Sequence, residues 1–239
     1  MQAVILAAGR GTRMGEKTKN IPKPLLRVSG KTLLEHKFDA LPDQVDEVIL
    51  IVGYLQELIR AQFGNSYNGR KITYVEQENP VGGTMDALLQ AKGILKGKFL
   101  ATNADDIHTK EDVRKCIEQE WALAVMHMPE LDMSSSVHID ANGTITEIIE
   151  ADKHTRGPGV GGVGLYVLDT RIFEIEPVLL EGRTEYGLPQ TMLAASKAFK
   201  IPLTAVEISF RLHITSPDDI PYAELALAAR VSTARKKSI

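Results

Sequence analysis

The chain has 239 residues, 44% of them hydrophobic, which suffices for a sizeable core and for one large α/β domain or two small ones. Its 28 basic and 31 acidic residues leave a formal net charge of -3, so nothing in the balance attracts a nucleic-acid backbone and a small partner is expected. "MQAVILAAG" has no basic region ahead of its apolar run, and no apolar stretch approaches the roughly 20 residues of a membrane helix, so the expectation is a cytoplasmic protein without membrane contact.

Residues 4–8 form the short continuous apolar run that a strand buried on both faces needs. A glycine-rich loop, "GRGTRMGEKTKNIPK" at 9–23, follows at once. "KTLLEHKFDAL" then has helical spacing, "VDEVILIVG" reads as a strand, "LQELIRAQFG" as a helix and "KITYVEQ" as a strand ending in Gln77. "TMDALLQAKGIL" is helical, "GKFLATNADD" is a strand ending in acids, and "TKEDVRKCIEQE" is a helix with Thr109 as its N-cap. That last helix carries Cys116; one cysteine excludes an intrachain disulfide and a cysteine-based zinc site. Strands alternating with helices predict a parallel sheet with right-handed crossovers, whose ligand lies beyond the carboxyl ends of the strands. The glycine loop, Gln77 and Asp105 all fall at that edge.

From Trp121 the pattern changes. "WALAVMHM", "SSSVHID", "TITEIIEA" and "GGVGLYVLD" are strand-like, with Asn142-Gly143 as a hairpin signal between two of them, so antiparallel or mixed strands are expected. "RIFEIEPVLL" and "LPQTMLAASKAF" read as helices, "IPLTAVEI" as a strand, and 217–232 as a closing helix before a frayed tail, "ARKKSI". With no repeat, low-complexity tract or linker, the prediction is a single α/β domain over 1–239, a Rossmann-like three-layer sandwich around a mostly parallel mixed sheet.

Two familiar phosphate loops fail against the residues. The dinucleotide fingerprint needs glycine at its first, third and sixth positions, and from Gly9 the sixth is Met14. A Walker A loop needs Gly-Lys-Ser/Thr, and Gly15 is followed by Glu16. "LAAGRGTRM" followed by "PKPLL" instead resembles the signature of the sugar-phosphate nucleotidyltransferases, which share a glycosyltransferase-A-like fold. Further similarities run along nearly the whole chain: "PVGGTMDAL", "NADD", "GTITEIIEADK", "VGLYVLD" and "ITSPDDI".

Chemistry supports the resemblance residue by residue. Gly9 and Gly11 let backbone N–H groups approach a triphosphate. Arg13 supplies a planar donor fork, and Lys23, between Pro22 and Pro24, an aimed ammonium. Asp105 is the first candidate ligand for Mg²⁺, which takes oxygen ligands from carboxylates and substrate phosphates. The resemblance implies catalytic roles for Arg13, Lys23 and Asp105. It implies nucleotide contacts for Leu6, Ala7, Ala8, Gly9, Gly11, Thr12, Arg13, Gln77, Gly82, Gly83 and Thr84, and makes 1–120 the nucleotide-binding half. It assigns the sugar phosphate to 121–233 with Glu150, Lys153 and Gly162, and to Asp106.

Two positions depart from the family. Ahead of "SPDDI", His213 stands where a second aspartate or asparagine commonly completes the metal site; an imidazole either suits a transition metal or donates to a phosphate. Gly162 stands where an asparagine often binds the sugar, which implies an acceptor other than an N-acetylated hexose. The implied reaction transfers a nucleoside monophosphate, uridylyl or thymidylyl first, from a nucleoside triphosphate to a sugar 1-phosphate. Cytidylyl transfer to a sugar, polyol or choline phosphate and a non-catalytic sugar-nucleotide regulator are the alternatives. Association into a homo-oligomer is left open, and the absence of hexapeptide repeats leaves no expectation of a coupled acetyltransferase.

Overall fold

Alternation along the central strands sorts their side chains onto two faces. In β1 (Gln2–Leu6), Ala3 and Ile5 enter one apolar cluster and Val4 the other. The computed structural model describes residues 1–131, 135–150 and 157–237, the last with backbone only at 231 and 233–237. A glycine loop leads from β1 to the short pair β2 (Arg27–Val28) and β3 (Lys31–Thr32), then α1 (Leu33–Ala40), β4 (Glu47–Val52) and α2 (Gln56–Phe63). There follow β5 (Ser66–Tyr67), β6 (Arg70–Glu76), α3 (Gly83–Leu89), β7 (Lys98–Asn103), β8 (Asp106–His108) and α4 (Lys110–Ile117). The rest comprises β9 (Trp121–Met128), β10 (Ser136–Ile139), β11 (Ile145–Ile149), β12 (Gly159–Asp169), α5 (Leu188–Phe199), β13 (Leu203–Glu207), β14 (Arg211–His213) and α6 (Asp219–Lys237).

The main sheet runs β11-β10-β12-β7-β1-β4-β6-β5, with β9 joining β12 to β13. Strands from both halves of the sequence therefore share one sheet. β1 pairs in parallel with β4 on one side and β7 on the other, while β12 is antiparallel to β7. Helices α1, α2 and α4 contribute Leu34, Phe38, Ile59, Phe63, Val113 and Cys116 to one face. α3 and α5 cover the other with Met85, Leu88, Leu188 and Met192, completing the three layers. A third cluster, with Met14, Leu26, Val28, Leu33, Ile107, Leu212 and Ile214, packs the glycine loop against β8, β14 and α6.

Caps and turns follow local chemistry. Thr109 accepts from the Asp112 amide as expected, and β10 and β11 form the hairpin, with Gly143 at φ +80° and Asp140 accepting from the Asn142 and Thr144 amides. Cys116 is buried on α4, where burial above all, then Asp112, pushes its thiol up to about 12.

Three expectations are corrected. "RIFEIEPVLL" is only a 3₁₀ turn over Thr170–Glu174, because Pro177 denies the preceding residue the helical region and Leu179 instead bridges to Tyr186. α3 stops at Leu89 and continues as single turns toward Gly93. α6 runs to Lys237 rather than ending at 232, so the described part of "ARKKSI" is helical. The ladder pairing β8 with β14, invisible in the sequence pattern, is real and antiparallel.

α1 begins with a reciprocal capping box: the Thr32 hydroxyl accepts from the Glu35 amide at 3.1 Å, and the Glu35 carboxylate from the Thr32 amide at 2.6 Å. Thr32→Ala is expected to cost about 0.5–2 kcal/mol of stability, read as a lower urea midpoint at unchanged m-value.

Candidate active site

The site is assembled where β1 parts its two parallel neighbours. Leu6 stands in register with Asn103 of β7, and the Ala104 amide donates to the Leu6 carbonyl at 3.1 Å. The glycine loop and the Asp105 turn thus leave the sheet side by side. Gly11 has φ +64°, and a Cβ there would press on the Lys23 side chain, so both backbone and packing require glycine. Nothing in the protein crowds Gly9, and backbone N–H groups of residues 9–13 donate to nothing among the described residues, leaving a row of donors for an anion. Met14, the residue that breaks the dinucleotide fingerprint, is buried in the third cluster and anchors this loop.

Lys23 crosses from its proline-flanked turn to Asp105, Nζ to Oδ2 at 2.6 Å. Both line a cleft of about 570 Å³ together with Leu6, Ala7, Ala8, Gly9, Gly11, Thr12 and Arg13. Gln77, Gly83, Thr84, Glu150, Gly162 and His213 line the same cleft. Gly82 does not: its carbonyl accepts from the Tyr186 amide at 2.7 Å, and a Cβ on it would strike Asp86. Thr84 is half committed elsewhere, since its hydroxyl accepts from the Leu188 amide at 3.0 Å and caps α5. Lys153 lies outside the described residues.

Gln77 is oriented by its neighbours. Its amide nitrogen donates to Asp86 Oδ2 at 2.9 Å and faces the Gly83 carbonyl at 3.4 Å; both partners only accept, so the amide cannot be flipped. Oε1 is left as an acceptor.

Asp106, expected at the sugar phosphate, is fully buried beneath the cleft. Its Oδ1 accepts from Arg211 Nε at 2.6 Å and lies 2.9 Å from His213 Nδ1. Burial alone would raise its pKa, but Arg211 and then His213 hold the carboxyl well below the usual range. Ligand atoms of Asp105, Asp106 and His213 all lie within 4.8 Å of one another, and Asp106 Oδ2 is buried without a hydrogen-bond partner. That donor set fits a divalent cation that completes its shell with substrate oxygens, since Arg211 and His213 already share the other Asp106 oxygen.

Behind this turn sits a buried polar relay. Lys37 of α1 donates to Thr102 at 2.9 Å and to His108 Nδ1 at 3.0 Å. His108 Nε2 faces the Val163 carbonyl at 2.9 Å, so Nε2 carries the proton, and burial followed by Lys37 pushes the imidazole down to about 3. Burial likewise pushes Lys37 down to about 8, against the pull of Asp106 and Asp105.

At the far end, Glu150 accepts from Ser135 at 2.9 Å, Gln190 at 3.0 Å and Arg183 at 3.2 Å, which fixes its carboxylate. A Cβ on Gly162 would meet nothing closer than 3.8 Å, so the cleft is open where an amide would otherwise project. Sequence reasoning missed Arg211, Asn103, Arg183 and Gln190, which also line the cleft. For Arg211 the signal was "RLH": alternation on a strand puts it on the same face as His213.

The sequence pattern of the MobA-like NTP transferase domain matches residues 3–157. The chain is 30% identical over 247 residues to the UTP--glucose-1-phosphate uridylyltransferase AglF of Haloferax volcanii, covering 98% of this chain and 99% of that protein. It is 32% identical over 202 residues to the bifunctional protein GlmU of Methanocaldococcus jannaschii, covering 84% of this chain; the chain spans about half, 48%, of that relative's length. In fold it is similar to a Bacillus anthracis protein assigned as a glucose-1-phosphate thymidylyltransferase, with a TM-score of 0.81, 21% identity and coverage of 95% and 94%.

Lys37 carries a pH signature. Between about 8 and 10.5 the unfolded chain still holds a proton that the folded protein has released, so stability rises with pH across that window. Relative to Lys37→Met, the wild type is expected to gain on the order of 1–3 kcal/mol between pH 8 and 10.5 in urea unfolding; a flat difference rejects the assignment.

Proposed function

This chain belongs to the MobA-like NTP transferase family, and we propose that it transfers a nucleoside monophosphate, uridylyl or thymidylyl, from a nucleoside triphosphate to a sugar 1-phosphate. The observation that carries the reading is the 2.6 Å contact of Lys23 with Asp105 at the parting of β1 and β7. Unpartnered N–H groups of the glycine loop flank it on one side, and the fixed Glu150 carboxylate on the other.

A phosphate oxygen of the acceptor attacks the α-phosphorus in line; the bond from that phosphorus to the bridging oxygen of the β-phosphate breaks, and pyrophosphate leaves. No nucleophilic side chain is needed, because positioning and charge neutralisation dominate such transfers. Loop N–H groups and Arg13 receive the leaving pyrophosphate, and Lys23 neutralises charge at the α-phosphate. Asp105, with oxygens of the substrates, would hold Mg²⁺, whose contribution when bound is to offset the charge that gathers on the phosphates. Glu150 accepts from sugar hydroxyls.

The base reading rests on Gln77. With its amide hydrogens committed to Asp86 and Gly83, it offers the base only an acceptor, which suits the N3–H of uracil or thymine. No helix among the described residues is long and apolar enough to cross a membrane, in keeping with action in the cytoplasm.

Pyrophosphate release with Mg²⁺, across UTP, dTTP, CTP, ATP and GTP against a panel of sugar 1-phosphates, a polyol phosphate and phosphocholine, tests the reading. The expected signal is largest for UTP or dTTP with a hexose 1-phosphate. Lys23→Ala is expected to lower turnover by about 10²–10³-fold at a retained melting temperature. Near-normal turnover in that variant would overturn the mechanism, and nucleotide binding without release in the wild type would favour a sugar-nucleotide regulator.

A further inference from the structure

We propose that Arg211 binds the phosphate group of the acceptor, a phosphomonoester dianion, and that buried Asp106 is the positioning residue that aims it. This rests on the nucleotidyltransferase reading and deepens it.

Arg211 is unlike the other cations of the cleft. Its side chain is only 10% exposed, yet it lines the cleft, and of its five N–H donors the one on Nε is spent on Asp106. The N–H groups on its two terminal nitrogens have no partner among the described residues. A guanidinium is rarely so buried unless its free edge serves a planar or anionic group, because the desolvation it suffers must be offset. Asp106, at 0% exposure, offsets one edge and fixes the direction of the other.

The arrangement is built into the fold. Antiparallel pairing sets Arg211 opposite His108 and His213 opposite Asp106, and the Ile214 amide donates to the Asp105 carbonyl at 3.0 Å, tying β14 to the catalytic turn. Gly164 interrupts β12 at φ +67°, and a Cβ there would strike both Asp106 and Asn103. The glycine keeps room for this carboxylate at the cost of a register shift between Gly162 and Tyr166.

Position decides which phosphate Arg211 meets. The glycine loop and Arg13, which serve the triphosphate, leave the sheet from β1. Asp106, which holds Arg211 by its Nε, packs against Gly164 of β12, two residues from Gly162 on the strand that enters the acceptor half.

Steady-state kinetics on the full chain test the proposal, with Arg211→Gln and the conservative Arg211→Lys. Arg211→Gln is expected to raise the KM for the sugar 1-phosphate by about 10–100-fold while the KM for the nucleoside triphosphate stays within about twofold, and Arg211→Lys to recover part of the loss. Calorimetry with glucose 1-phosphate and with inorganic phosphate reads the same site without turnover, so it stands even where the proposed reaction is not observed. Weakening of both ligands in both variants is the expected result. Unchanged phosphate binding, or a loss shared equally by nucleotide and acceptor, would overturn it. Should Arg211→Gln melt early because Asp106 keeps only His213 as partner, Arg211→Lys alone decides: phosphate affinity equal to wild type rejects the assignment.

Discussion

A strand paired in parallel on both edges cannot be joined to either neighbour by a hairpin, and β1 is such a strand. Its connections must cross the faces of the sheet, and the chain that leaves its carboxyl end must turn away between β4 and β7. That opening receives the glycine loop, and the Asp105 turn emerges beside it. Lys23 and Asp105, 82 residues apart, meet because of it. The cleft is therefore a consequence of strand order before any side chain is chosen.

The second constraint is the treatment of charge beneath the cleft. Asp106, Lys37 and His108 are all buried in the layer that supports the Asp105 turn. Each is tolerable because it is paired: Asp106 with Arg211 and His213, Lys37 with Thr102 and His108, His108 with the Val163 carbonyl. Such networks contribute little net stability against apolar packing, but they allow few alternative geometries. In this protein they fix the turn from which Asp105 reaches the cleft.

The two ends of the cleft are also joined through backbone. Gly82 and Gly83 pack against Tyr186, whose amide and carbonyl bond the Gly82 carbonyl and the Met85 amide, and Thr84 caps α5. The segment that presents Gln77's partners is thereby held to the helix that carries Gln190 and, through it, Glu150. The Gln77 end and the Glu150 end of the cleft are parts of one packed unit.

Much of this was legible in the residues themselves. Continuous apolar runs at β1, β4 and β7, each followed by a turn, marked the parallel core, and "GRGTRM" with "PKPLL" marked the glycine loop that lines the cleft, because strand burial and glycine backbone freedom are local properties. Thr109 and Asn142-Gly143 were readable for the same reason. Met14, Asp106, Thr84 and Arg211 were not. Met14 counted only against a fingerprint until the third cluster showed what it packs on. Asp106 looked like its neighbour Asp105, and only the pairing of β8 with β14 buries one fully while leaving the other half-buried at the cleft. The sequence by itself determined which side chains have the chemistry to serve an anion or a cation and on which edge of the sheet they lie. Tertiary structure alone decided which of them reach the cleft, because burial and the partner of a charge are set by strands more than a hundred residues apart in the chain.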